Sequence, residues 1–308
     1  MESPVARAEN VPMMVRTLVG NRFELDSVMR GPHYITFSCH RYDEFGVSMS
    51  YVFALCEAPL DPASAQAIAR NASTRNASAI AISDSPCDPL TSLSWDVFLA
   101  RCGGPVRSWL PLEPTFRAHL ATLGHNQPVE GVSGRPDVLF EEYTHVALQF
   151  LLADRVIRYG QERRGEAVPD GIAFAQGQAI LPYDAKAYAG GYEVSRDSIR
   201  QFGDYVRAFD AKYERYLGRA YAFLLVSGHF ANGNVSLMNQ SRALRVECGV
   251  DLVYMTADDL GAATALLAEH PAIRTVLNWR EIFSHTLVTL PIVQQAVEAV
   301  RRDRVVRT

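Results

Sequence analysis

Apolar and polar residues alternate through Val47-Ser48-Met49-Ser50-Tyr51-Val52-Phe53, the period of a half-buried strand, and Tyr34-Ile35-Thr36-Phe37 reads the same way. An alanine-rich stretch from Pro62 to Ala77 predicts a helix, followed by a short strand over 79–82. Further helices are expected over Leu93–Ala100, closed by Gly103-Gly104, and over Pro114–Leu123. The polar segment 124–136, with three glycines and two prolines, reads as a linker. Beyond it, Asp137 is positioned to cap a long helix reaching about Tyr159. Two strands then flank Gln176-Gly177-Gln178, at Gly171–Ala175 and Ala179–Ala185. Ser195 opens a helix with Ile199, Phe202, Val206, Phe209 and Tyr213 on one side, and Gly218 stops it. The continuous apolar run Tyr221–Val226 fits a central strand covered on both faces. A helix over Val235–Glu247, a strand over Leu252–Met255, a helix opened by Thr256 and a last helix from Pro291 complete the pattern. Strands alternating with helices after a hairpin predict an α/β fold: a mixed central sheet flanked by helices over 131–308, preceded by a smaller α/β domain over 1–130.

Composition narrows the class. Of 308 residues, 48% are hydrophobic and 21% charged, as in globular proteins, and the net charge of -4 gives no whole-chain signal for nucleic acid. No apolar run approaches the roughly 20 residues that cross a bilayer, so no membrane association is expected. Five cysteines without a Cys-x-x-Cys pair argue against a zinc or disulfide framework and fit a reducing cytoplasm.

The chemistry concentrates in Tyr183-Asp184-Ala185-Lys186, with Pro169-Asp170-Gly171 upstream. Among 30 basic residues only Lys186 and Lys212 are lysines, so a compact ammonium two residues after a carboxylate stands out against the arginines. Residues two apart on a strand share a face, which sends Asp184 and Lys186 the same way. A hairpin would return Asp170 alongside them. Two carboxylates and the Ala185 carbonyl suit Mg²⁺, with Mn²⁺ as a substitute, and the lysine would stabilise a hydroxide beside a phosphate. An exposed, salt-bridged strand is the other reading of the same residues.

The run Pro169-Asp170-Gly171, Asp184-Ala185-Lys186-Ala187-Tyr188, Gly190-Gly191-Tyr192 and Val226-Ser227-Gly228-His229-Phe230 resembles the FokI-like cleavage domains of the PD-(D/E)xK restriction-endonuclease-like superfamily. The resemblance covers roughly 90 residues, from Asp170 to about Leu260. It implies a Mg²⁺-dependent endonuclease leaving 5′-phosphates on double-stranded DNA. Asp170 and Asp184 would be metal ligands and Lys186 catalytic. It also implies a transient homodimer for cutting both strands. A nuclease-like scaffold that binds DNA or a partner protein without cutting is the alternative.

Four residues are secondary candidates. Glu142, chosen over its neighbour Glu141, lies on the helix where the superfamily can carry a third acid. Gln201 and Tyr205 match the Gln-x-x-x-Tyr of RecB-like nucleases, or serve as packing. His229 either touches a phosphate or closes a turn. Arginines 155, 158, 163, 164, 196, 200 and 207 read as phosphate-contacting walls or as ordinary solvent-facing charge. In the N-terminal half Asp43 precedes Glu57 by 14 positions, the separation of Asp170 and Asp184, with Pro59 where the second copy has Lys186. This reads either as a degenerate nuclease-like fold or as coincidence.

Overall fold

The computed structural model describes residues 10–42, 47–102, 110–153, 156–159, 168–175 and 179–307. Two compact units divide them near residue 105, ahead of the 124–136 segment. The reason is local. Phe116, Leu120 and Leu123 on helix α4 (Phe116–Gly124) belong to the core of the second unit, so this helix packs with the elements C-terminal to it.

In the first unit, helix α1 (Asn10–Val19) precedes strands β1 (Glu24–Arg30), β2 (Tyr34–Tyr42) and β3 (Ser48–Cys56). Helix α2 (Pro62–Thr74), strands β4 (Ala77–Ile82) and β5 (Thr91–Leu93) and helix α3 (Trp95–Cys102) come next. The five strands lie in sequence order. The first two pairings are antiparallel and the last two parallel, α2 making the crossover from β3 to β4. Asp61 caps α2 by accepting from the Ser64 N–H at 2.9 Å.

The second unit continues from α4 with helix α5 (Pro136–Leu152) and strands β6 (Val156–Arg158), β7 (Gly171–Ala175) and β8 (Ala179–Lys186). Helix α6 (Arg196–Leu217), strand β9 (Ala222–Ser227), helix α7 (Asn234–Cys248), strand β10 (Asp251–Thr256) and helix α8 (Ala257–Ala268) come after them. Short helices α9 (Pro271–Arg274) and α10 (Trp279–Ile282), strand β11 (Leu287–Val288) and helix α11 (Leu290–Arg307) close the chain. Six strands run β11-β10-β9-β8-β7-β6, antiparallel at the β6 and β7 end and parallel from β8 onward.

Two boundaries differ from the pattern reading. Helix α5 is capped at Arg135, with Pro136 in its first turn, so Asp137 lies inside the helix. It ends at Ala153, whose φ of 47° is left-handed, and the β-branched Val156 and Ile157 then pair with β7 instead of extending the helix. The predicted hairpin turn, residues 176–178, and the predicted stop at Gly103-Gly104 lie outside the described residues.

Both faces of the second sheet are covered. Leu224 and Val226 of β9 join α4, α5 and α8 in one core, while Phe223 and Leu225 join α6 and α7 in another. Each such fully buried side chain contributes roughly 1.5–3 kcal/mol. Ser195 and Thr256 cap α6 and α8, accepting at 3.1 Å from the N–H groups of Ser198 and Asp259. No helix among the described residues is long and apolar enough to cross a membrane.

Candidate active site

Strand alternation aims the site. Tyr183 and Ala185 belong to the core under α5, so Asp184 and Lys186 turn to the opposite face, toward α6. β7 pairs antiparallel with β8, Gly171 opposite Tyr183, which returns Asp170 beside them. The two acids lock each other's backbone: the Asp170 N–H donates to Asp184 Oδ1 at 2.9 Å, and the Ala185 N–H donates to Asp170 Oδ2 at 2.8 Å. Lys186 Nζ lies 2.9 Å from Asp184 Oδ2 and 3.7 Å from Asp170 Oδ2. Asp184 is 2% exposed, whereas the other two are half-buried.

This geometry stores charge repulsion. Burial, and then the Asp184 charge, push the Asp170 carboxyl up to about 7, against the pull of Lys186. Burial works against the Lys186 ammonium, yet Asp184 and Asp170 outweigh it and raise its pKa above the ordinary lysine value. Two adjacent carboxylates, one struggling to ionise, and an Asp170 Oδ1 with no hydrogen-bond partner among the described residues suit a hard divalent cation.

A pH dependence results. Because Asp170 holds its proton more tightly in the folded state, the stability this contributes is fully present below the ordinary aspartate pKa. It is lost as pH rises toward about 7. In chelator, the melting temperature of the wild type relative to Asp170→Asn is therefore expected to fall between about pH 4 and 7. Thermal denaturation of both proteins across that range measures it, and a flat difference would contradict it.

On α5 the neighbour of the expected Glu142, Glu141, is the acid seen to act on this site. Glu141 interacts electrostatically with Lys186 and Asp170, and its carboxylate lies 3.4 Å from Arg158 Nη2. Burial raises its pKa, and the cations Arg158 and Lys186 oppose that shift. Glu142 acts electrostatically on the Tyr143 hydroxyl. Arg158 also donates to the Val138 carbonyl at 3.3 Å, tying β6 to the first turn of α5. Beneath the acids, the buried Tyr183 hydroxyl is 3.3 Å from both the Ile157 carbonyl and His145 Nδ1.

On the α6 side, the Gln201 side-chain amide donates to the Tyr205 hydroxyl. Tyr205 is buried against Phe223, and burial followed by the Asp184 charge raises its pKa, so the pair borders the triad. Sequence reasoning missed Tyr192, whose hydroxyl lies 3.1 Å from Ser198 Oγ and which interacts with Lys186 and Asp184. Its place after Gly190-Gly191 was the available signal. His229 follows β9, whose Ser227 pairs with Lys186. Its ring lies against Gly191 and 5.2 Å from His125, and its Nδ1 is buried without a partner among the described residues. Of the arginines singled out, Arg200 and Arg207 pair with Asp197 and Asp204 one turn back on α6 and Arg158 pairs with Glu141, while residues 155, 163 and 164 lie outside the described residues.

The first unit contains no lysine, so it has no second set of two acids and an ammonium. Asp43 lies outside the described residues. On β3 the residues facing the crossover helix α2 are Val52, Ala54 and Cys56, all in its apolar core. Glu57 comes after the strand, one position out of phase with them, and such a slip reverses the face. Ala54 and Cys56 therefore stand at the strand end where the second unit has Asp184 and Lys186.

The family model described as FokI, cleavage domain, matches residues 114–279. Two solved structures of restriction endonuclease FokI are similar. The first is 19% identical, covering 57% of this chain and 31% of that one, with a TM-score of 0.44. FokI bound to DNA is 17% identical, covering 65% and 36%, with a TM-score of 0.45. This chain thus spans about a third of the length of those proteins. No curated protein matches. Fold and family match together define a restriction-endonuclease-like nuclease domain. The chain belongs to the FokI cleavage domain family.

Proposed function

We propose that this chain is a Mg²⁺-dependent endonuclease acting on double-stranded DNA, with Mn²⁺ as a substitute, leaving 5′-phosphates. The observation that carries the reading is the convergence of Asp170, Asp184 and Lys186, with the ammonium within 3.7 Å of both carboxylates. Membership of a metal-dependent nuclease family supports it.

Asp170, Asp184 and the Ala185 carbonyl would hold the ion. When bound, it supplies a Lewis acid for a phosphodiester oxygen and acidifies a water. Lys186 remains protonated, because the acids raise its pKa, so its role is electrostatic: it orients the attacking hydroxide and balances charge developing on the phosphate. Gln201 and Tyr205 brace the triad from α6, and Tyr192 is held by Ser198. Glu141 and Arg158 tie α5 to β6, the strand paired with β7 next to Asp170.

The described residues form one triad per chain, so cutting both strands calls for two chains or two successive events. A transient homodimer gives linear product whose rate rises with the square of protein concentration at low concentration.

Supercoiled plasmid incubated with Mg²⁺ or Mn²⁺, then end mapping of the products, tests the proposal. Nicked and linear products with ligatable 5′-phosphates are expected. Folded protein that leaves plasmid and linear, single-stranded and branched DNA intact with either metal would refute it.

A further inference from the structure

We propose that the first unit carries a binding site for a single unpaired nucleobase, in a cavity between its sheet and α2. The cavity has a volume of about 220 Å³ and includes Arg30, Tyr34, Thr36, Val52, Ile68 and Asn71 in its lining. An apolar cavity of about 150 Å³ accommodates benzene, so this one has room for a heterocyclic base.

The lining divides as base recognition requires. Buried Val52 and Ile68 make an apolar floor. The Tyr34 ring forms a wall laid over Gly31, where an added Cβ would meet it at 2.4 Å. Exposed Arg30 and half-buried Asn71 also line it, and neither side chain has a hydrogen-bond or ion-pair partner among the described residues. Asn and Arg are the side chains that read base edges through paired hydrogen bonds, and an aromatic wall stacks on any base. No acid is among the described lining residues, so the cavity does not suit a divalent cation.

Its place in the fold strengthens the inference. Strands β1–β5 repeat the order and directions of β6–β10, each with a helix crossing over from its third strand to its fourth. The cavity lies on the face of β3 covered by that helix, the face that carries Asp184 and Lys186 in the second unit. In the first unit this face carries a cleft, and the strand end beside it is apolar. A nucleic-acid ligand is chosen because of the endonuclease reading, on which the proposal rests.

Binding is measured in chelator, so that cleavage plays no part. The wild type is titrated with each of the four deoxynucleoside monophosphates and with inorganic phosphate, monitored by NMR or calorimetry. At least one nucleotide is expected to bind saturably, inorganic phosphate is not, and Asn71→Leu should weaken the binding at least about tenfold. Arg30→Ala is the second variant should Asn71→Leu fail to fold. Absence of binding by all four nucleotides, phosphate binding as tightly as nucleotide, or unchanged affinity in the folded variant would each overturn the proposal. Failure of the endonuclease reading would appear separately, as loss of plasmid cleavage without loss of nucleotide binding.

Discussion

Lys186→Ala is expected to lower the single-turnover rate of DNA cleavage by roughly 10²–10³-fold, the cost of removing one preorganised charge from a developing anion. The same substitution should leave divalent-cation binding intact or tighten it. The ammonium lies 2.9 Å from Asp184 Oδ2, and removing it frees that oxygen. A purely structural lysine would give the opposite pairing, with cation binding and rate falling together. Lys186→Arg should not rescue the rate, because a planar fork does not reproduce a point charge between two carboxylates. Rapid-quench kinetics and Mn²⁺ titration of the three proteins measure these effects. Near wild-type cleavage by Lys186→Ala would remove the lysine from the mechanism.

Gly171→Ala is expected to destabilise the second unit by about 3 kcal/mol or more. A Cβ on Gly171 would lie 2.0 Å from the Ile157 carbonyl oxygen and 2.4 Å from the Tyr183 hydroxyl. The first contact is backbone and the second a fully buried ring, so neither yields cheaply. At roughly 2–4 °C per kcal/mol, the melting temperature should drop by roughly 6–12 °C. Displacement of β7 would also separate Asp170 from Asp184, so cation affinity should fall even below the melting temperature. Scanning calorimetry with and without Mn²⁺ measures both, and a shift under about 2 °C would contradict the packing argument. The glycine of Pro169-Asp170-Gly171 is thus explained by the closeness of β6 and Tyr183 to the strand that starts beside Asp170.

The triad was legible because strand periodicity is strict: residues 184 and 186 share a face whatever the rest of the fold does. The sheet was legible for a related reason, since Ala222–Ser227 is buried throughout and only a central strand between two helical layers tolerates that. Helix phase was harder. Glu141 and Glu142 differ by about 100° around α5, and the apolar residues on either side, Phe140 and Tyr143, are both buried. The contact with Arg158 that distinguishes them comes from β6, a strand that the pattern absorbed into the helix. In the first unit, spacing and strand phase differ. Glu57 lies at the right distance from Asp43, but one residue out of phase with the face that matters. The repeated topology shows only in strand pairing, which no local pattern encodes.

The central claim is that Asp170 and Asp184 share one cation. Mn²⁺ titration monitored by electron paramagnetic resonance tests it most directly. One bound ion per chain is expected in the wild type, and none in Asp170→Asn or Asp184→Asn at the same concentrations. A wild type that binds no ion, or either variant binding with unchanged stoichiometry and affinity, would contradict the account.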